Sequence, residues 1–315
     1  MTVQPSEMTL VIGSGEPDQA PDDEFAHASR SQARQAFDRF THSWLSMIAL
    51  SLFLLLIALA YIVPYFYSWK YSQPDPTALS VPPGKQGHIL GTNETGLDEL
   101  ARMMRGTQRD VLIILISTSI ATTLGITIGA LAGYFGKVVD NLLMRFVDIM
   151  LTVPYLVILI LACAKYPDTA GTAPGIGMLF GLFGWMGLSR LVRAQFLSLK
   201  EREFVEAAHA MGASNSRIIL RHLIPNSLST ILVFTTLFAA TSIVAETSIT
   251  YLGYGVKAPD TSLGLLVSKG VDAIQTRPWL FYYPGLLILI IVLATNLVGE
   301  GIRNAFDPRN NRVRD

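Results

Sequence analysis

The residues with the clearest potential for chemistry form one stretch, Glu206-Ala207-Ala208-His209-Ala210-Met211-Gly212, closed by His222-Leu223-Ile224-Pro225-Asn226. Their chemistry is recognition, not bond-making. Glu206 offers a polar contact, while Ala207, Ala208 and Ala210 keep a helix thin enough for a second surface to approach closely. Gly212 suits the left-handed residue that ends a helix. Leu199 to Met211 is predicted to be helical, with Phe204, Ala208 and Met211 spaced i, i+4, i+7 along one face. Ser214 is placed to cap a second helix that runs past Arg217 to Arg221, and Pro225 to open the next apolar segment at a first-turn position. Such a helix-turn-helix is either a grip for another protein or a plain hairpin between its neighbours.

Catalysis is not readable in the chain. The five histidines, at 27, 42, 88, 209 and 222, show no metal-ligand spacing and no Ser-His-Asp arrangement. Cys163 is the single cysteine, which excludes an internal disulfide and a cysteine-based metal cluster. No phosphate loop of the type GxxxxGK[ST] occurs, so ATP chemistry has to come from another polypeptide.

The elements that must position the stretch are membrane spans. Only 15% of the 315 residues are charged, against about 25% in a soluble domain. The mean hydropathy is +0.41, and the net charge of zero provides no field for nucleic acid. Uncharged runs give six spans, at about 43–67, 110–135, 143–164, 172–191, 225–248 and 279–301, with a long loop at 196–224. The third run is short and needs Arg145 and Asp148 at its entrance, snorkelling or paired one helical turn apart.

Six spans put both termini on one side. Termini in the cytoplasm place 15 of the 24 Lys and Arg there, as the charge-bias rule favours. Arg102, Arg105 and Arg109, before the second span on the outer side, run against it. Residues 1–26 are acidic, rich in Pro, Gly and Ser, and are predicted to be a disordered cytoplasmic tail. Residues 27–42 form an amphipathic lead-in, with Ala33, Phe37 and Phe40 on one side. It either lies along the membrane surface or packs on its neighbours. The membrane domain is then 43–315.

Gly125, Gly129 and Gly133, extended by Ala121, bare one face of the second span for packing against a partner or a neighbouring span. Gly177 and Gly181 repeat the device in the fourth. Glu246, at the outer end of the fifth span, either faces a cavity or serves structure by pairing or capping. Residues 251–278 can hold a short helix around Leu263–Ile274, whose Leu265 and Leu266 either dip into the outer mouth as a gate or lie on the membrane surface. Trp279, Tyr282 and Tyr283 fit an interfacial aromatic belt.

Glu206-Ala207-Ala208, three residues, Gly212, then nine residues to His222-Leu223-Ile224-Pro225 resembles the EAA loop of ABC-importer permeases. Other segments are similar to the dipeptide/oligopeptide branch: Gly133-Tyr134-Phe135-Gly136, Val139-Asp140 with Met144-Arg145-Phe146-Val147-Asp148, then Pro154 and Leu191-Val192-Arg193. So are Ala245-Glu246 with Tyr251-Leu252-Gly253, and Gly299-Glu300-Gly301 followed by Asp307-Pro308-Arg309. The likeness runs from about residue 30 to 310 and is to the C-type membrane subunit.

The resemblance implies an all-α polytopic protein of the type I ABC-importer permease fold, with six transmembrane helices and cytoplasmic coupling helices. It implies a place in the bacterial cytoplasmic membrane. It implies a second, homologous permease subunit completing a heterodimeric pore, two cytoplasmic ATPase subunits holding ATP and Mg, and an extracytoplasmic peptide-binding protein. No cofactor or metal is expected on this chain. Glu206, Ala207, Ala208, Met211, Gly212, Ser214, Arg217, Arg221 and Pro225 become the ATPase-coupling residues, and Glu246, Leu265 and Leu266 the pore or gate candidates. Branches for nickel and glutathione share most of these motifs. A self-contained secondary transporter would instead show inverted repeats and mid-membrane charges, and neither is visible.

One segment departs from the family. Leu90-Gly91-Thr92-Asn93-Glu94-Thr95-Gly96-Leu97-Asp98 resembles its Gly-Thr-Asp…Gly-Arg-Asp signature, with Asn93 for the Asp and Leu97 for the Arg. Any ion pair between those groups is absent here.

Overall fold

The computed structural model describes residues 32–306. The tail at 1–26, the start of the lead-in through residue 31, and Asp307-Pro308-Arg309 with Arg312 and Arg314 lie outside the described residues. In order, the helices are α1 (Gln32–His42), α2 (Trp44–Phe66), α3 (Glu99–Phe135), α4 (Lys137–Thr152), α5 (Tyr155–Lys165), α6 (Ala173–Leu199), α7 (Glu203–Ala210) and α8 (Asn215–Ile218). A π turn, Ile219–Leu223, leads into α9 (Ile224–Asn226), and α10 (Leu228–Tyr251), α11 (Leu263–Ala273) and α12 (Trp279–Phe306) follow. Among the described residues there are no strands, only two isolated bridges.

Five helices, α2, α3, α6, α10 and α12, are long and apolar enough to cross a membrane. The sixth crossing is the pair α4 and α5, which meet at 68°. The expected continuous span at 143–164 is therefore broken. Pro154 has no N–H to extend α4 and disfavours helical geometry in the residue before it, and Val153 is extended at φ −76° and ψ 125°. Asp148 does not pair with Arg145 either; its Oδ1 meets Arg190 Nη2 of α6 at 2.5 Å.

The second span starts eleven residues earlier than its uncharged run. Asp98 caps α3, its Oδ1 accepting from the Ala101 N–H at 2.8 Å. The three arginines of the first turns are neutralised where they stand. Arg102 pairs with Glu99 at 3.4 Å, while Arg105 and Arg109 both hold Asp260, at 2.9 and 2.5 Å. The fifth span proper begins at Leu228, so Pro225 lies in α9 and does not open it. Ser227, at φ −97° and ψ 0°, separates the two, and its hydroxyl donates to the Leu223 carbonyl at 3.0 Å. α6 and α12 outrun their expected ends by reaching Leu199 and Phe306.

α1 packs on α12: Arg39 donates to the Ala305 carbonyl, and Gly301 leaves room for Ser46 and the Phe40 ring. Phe37 points away from that contact and is exposed, so the apolar side of α1 is divided.

The two glycine stripes meet each other. From about Ile113 to its C-terminal end, α3 runs parallel to α6 in a fixed register. A Cβ on Gly125 would sit 2.8 Å from Leu188 Cβ, one on Gly129 2.5 Å from the Ser189 carbonyl oxygen, and one on Gly133 2.6 Å from Phe196 Cβ. From the other side, Gly181 abuts Ile120 and Ser117, and Gly177 abuts Ile116 and Ile113. Backbones this close exclude lipid and maximise dispersion contact, which drives helix association where no hydrophobic effect operates. The stripe's partner is thus a neighbouring span of the same chain.

Candidate functional site

The stretch around Glu206 folds into a short hairpin hung beneath the C-terminal ends of α3 and α6. α7 is shorter than the expected helix from Leu199 to Met211, because α6 takes Leu199 and Arg202 is extended at φ −86° and ψ 146°. It ends in a Schellman turn. The Gly212 N–H donates to the His209 carbonyl at 2.9 Å and the Ala213 N–H to the Ala208 carbonyl at 3.0 Å, with Gly212 at φ 78°. Ser214 occupies the N-cap position of α8, but its hydroxyl makes no cap bond.

The hairpin's buried face is Val205 and Ala208 from α7 with Ile218 and Leu223 beyond the turn. These lock against Ala130, Leu188, Val192 and Phe196 at the foot of the α3–α6 seam. The face carrying Phe204, Ala208 and Met211 is largely open to solvent. Only Ala208 is inside, and Met211 is 81% exposed. Glu206, Ala207, Met211, Gly212, Ser214, Arg217, Arg221 and Pro225 are all exposed, so eight of the nine expected contact residues face solvent, as do Phe204 and Leu220. Such a surface mixes the apolar Phe204, Met211 and Leu220 with charged side chains, and it is carried on a buried apolar base. That arrangement can transmit a push or pull.

Two features of this site were invisible in the sequence. Tyr134 of α3 packs on the hairpin core and its hydroxyl donates to Asn215 Oδ1 at 2.8 Å. Arg193 of α6 forks onto Asp140 of α4, at 2.5 and 2.7 Å, a charge-assisted bidentate pair.

At the opposite end, residues 67–98 form a folded loop over the start of α3. His88 is fully buried, its Nδ1 2.8 Å from Asp98 Oδ2 and its Nε2 3.6 Å from Asp75 Oδ2, with Trp69 stacked on its ring. Tyr67 donates to the same Asp98 oxygen at 2.9 Å, and burial together with the neighbouring carboxylate pushes its hydroxyl above the ordinary tyrosine range. At the loop rim, hydrogen bonds from the Thr77 hydroxyl and N–H hold the Asp75 carboxyl below its usual range. The family departure at 93 is accommodated locally. Asn93 Oδ1 accepts from Thr95 N, Thr95 Oγ1 and Leu97 N, a turn that needs a neutral or charged oxygen but no arginine. Neither the burial of His88 nor its partners had a signal in the sequence.

Glu246 lies inside the helix packing. It is 1% exposed and accepts from Thr250 Oγ1 at 2.8 Å. Its other oxygen lies against Gly264, beside Asp110 of α3, which accepts from the Leu263 N–H at 3.3 Å. The two acids flank the start of α11. Leu266 is 1% exposed, in a core with Met103, Ile243 and Leu287, because α11 packs its apolar side inward on α3, α10 and α12. Leu265 is half-buried. Trp279 turns inward to donate to the Thr92 carbonyl at 3.4 Å, leaving Tyr282 exposed. Cys163 is buried in an apolar cluster with Leu159 and Ile176.

A helical membrane domain of this shape, with one broken span and an anchored, exposed hairpin, defines a multi-pass permease. Residues 125–312 match the family described as binding-protein-dependent transport system inner membrane component. Residues 31–83 match the N-terminal TM domain of oligopeptide transport permease C. The chain is 38% identical over 276 residues to the oligopeptide transport system permease protein OppC of Mycobacterium tuberculosis, covering 88% of this chain and 94% of the relative. It is 34% identical to OppC of Bacillus subtilis, over 89% of this chain and 91% of that one. The dipeptide transport system permease protein DppC of Alkalihalophilus pseudofirmus is 32% identical, over 92% and 94%. In fold, the chain is similar to the inward-facing MetNI methionine ABC transporter, with a TM-score of 0.53 at 16% identity, covering 65% of this chain and 96% of that one. The chain belongs to the binding-protein-dependent transport system inner membrane component family, the type I permease subunits of bacterial ABC importers. Its members are not catalytic; they work with a separate ATPase and a binding protein.

Proposed function

We propose that this chain is one of two different permease subunits forming the pore of an ATP-driven importer for short peptides. Peptide cargo is the activity in the names of its full-length relatives, the oligopeptide and dipeptide permeases. Two cytoplasmic ATPase subunits hold ATP and Mg, and an extracytoplasmic binding protein delivers the peptide to the loop end of α3. Both termini and the α7–α8 hairpin are cytoplasmic; the three arginines that run against this orientation are each paired with a neighbouring acid. No cofactor is held by this chain.

The observation that carries the coupling role is the hairpin's division into two faces. Val205, Ala208, Ile218 and Leu223 fasten it to the α3–α6 seam, while Glu206, Ala207, Met211, Arg217 and Arg221 stay in solvent. A groove on the ATPase gripping that outer face moves the seam when ATP closes the ATPase pair, and the pore changes from one access to the other. The test is reconstitution of the whole complex in vesicles and measurement of ATP-dependent uptake of tri-alanine. Uptake that requires ATP and the binding protein supports the reading; transport by this chain alone, or uptake of nickel or glutathione in place of the peptide, replaces it.

A further inference from the structure

Three elements converge on the segment Gly133-Tyr134-Phe135-Gly136. Gly133 lets the end of α3 touch α6, where a Cβ would meet Phe196 Cβ at 2.6 Å and the Arg193 carbonyl oxygen at 2.8 Å. Arg193 in turn forks onto Asp140 of α4. Gly136, at φ 63°, turns the chain from α3 into α4 without a side chain in the way. Tyr134 supplies what is left, a reach to the hairpin. Its ring lies on the hairpin core, its hydroxyl donates its one proton to Asn215 Oδ1 of α8 at 2.8 Å, and it faces His209 Nε2 of α7 at 3.4 Å, the two rings near-parallel 6.4 Å apart. One side chain of α3 thus touches both helices of the hairpin, on either side of the Gly212 turn.

We infer that Tyr134 is the positioning residue that ties the hairpin to α3, so that motion imposed on α7 and α8 moves the α3–α6 pair as one body. The remaining hairpin anchors are apolar contacts, which can slide at small cost. The Tyr134–Asn215 hydrogen bond is directional and fixes distance and angle. Without it, the hairpin is free to rock on its apolar seat and part of the stroke is lost before it reaches the spans. The inference rests on the hairpin being gripped by an ATPase, as proposed above.

The test uses the full complex in vesicles, with Cys163 replaced by Ser and spin labels on introduced cysteines. One pair, Ala210→Cys with Leu55→Cys, reports the hairpin against α2; a second, Leu131→Cys with Leu55→Cys, reports α3. ATP with vanadate should change both distances in the otherwise native chain. In Tyr134→Phe, the hairpin change and ATP hydrolysis should persist, the α3 change should fall by at least half, and tri-alanine moved per ATP should fall at least roughly fivefold, the low end of a coupling between sites. Asn215→Ala should do the same, and the double variant should be no worse than either, since both remove one bond. A full α3 change in Tyr134→Phe overturns the tie and leaves the ATPase grip standing. Loss of hydrolysis or of complex assembly in that variant makes Tyr134 merely structural and also overturns it. A hairpin that stays still in the native chain removes the grip and the tie together.

Discussion

At its first residues α3 is surrounded by buried polar groups, and at its last residues by apolar packing under an exposed surface. The loop end holds His88, Thr92, Asp98, Asp110, Glu246 and Ser262 out of solvent, cross-linked by directional hydrogen bonds. The hairpin end buries Val205, Ala208, Ile218, Leu223 and Phe196, and leaves its charges in water. Buried polar networks are intolerant of displacement, because any unmade bond costs the full desolvation of its groups. An apolar seat tolerates small shifts. The loop end accordingly keeps one shape, while the hairpin end can shift without breaking directional bonds inside its apolar seat.

The largest effect is expected where both ends depend on the same helix. Gly129→Leu should break the α3–α6 seam, since its Cβ alone would lie 2.5 Å from the Ser189 carbonyl oxygen. Overpacking of this kind against backbone costs ~3 kcal/mol or more, read as lost membrane accumulation and a collapsed melting temperature in detergent. A native melting curve would show the seam to be compliant. Next come variants confined to the hairpin. Glu206→Lys, and Gly212→Trp at φ 78°, should cut uptake by ~10-fold or more while insertion and melting of the spans stay native. Equal loss of melting stability would mean that the hairpin is not separable from the seam.

At the loop end, His88→Ala leaves Asp98 buried with one partner fewer, a cost of about 1–3 kcal/mol. Protease should then cut within 67–98 many times faster, with cleavage at the hairpin unchanged; equal acceleration at both ends would erase the distinction between them. The smallest effect is at Asp75. Its carboxyl titrates below the usual range when folded, so its contribution is present above the ordinary carboxylate value and is lost as pH falls through the lowered one. Thr77→Val should move the acid limit of loop protection to higher pH, and superimposable pH profiles for the two chains would remove Thr77 from the clasp.

The spans were legible because bilayer thickness demands long uncharged runs, and the chain has them. The start of α3 was not, since the rule that found the runs stops at a charge, and Arg102, Arg105 and Arg109 are charges matched by Glu99 and Asp260. Asp260 lies far along the chain, and no local pattern announces it. The break at Pro154 was in plain view as a proline, but an apolar run on both sides of it reads as one span. Glycine spacing disclosed a bare helix face and left its partner open; only the three-dimensional register joins Gly125 to Leu188. In α7 the apolar spacing marked a helix face but not its direction: Phe204 and Met211 lie in solvent, and Ala208 is inside.

The parallel seam also has a consequence in time. α3 leaves the ribosome before α4, α5 and α6 exist, so its glycine face meets lipid until α6 has been made. At roughly 5–20 residues per second, that wait lasts several seconds, with Asp110 unsheltered for longer still, since Leu263 comes later in the chain. During biogenesis, therefore, the helix with the tightest seam in the finished protein waits for its partner, and the insertion machinery has to shelter it.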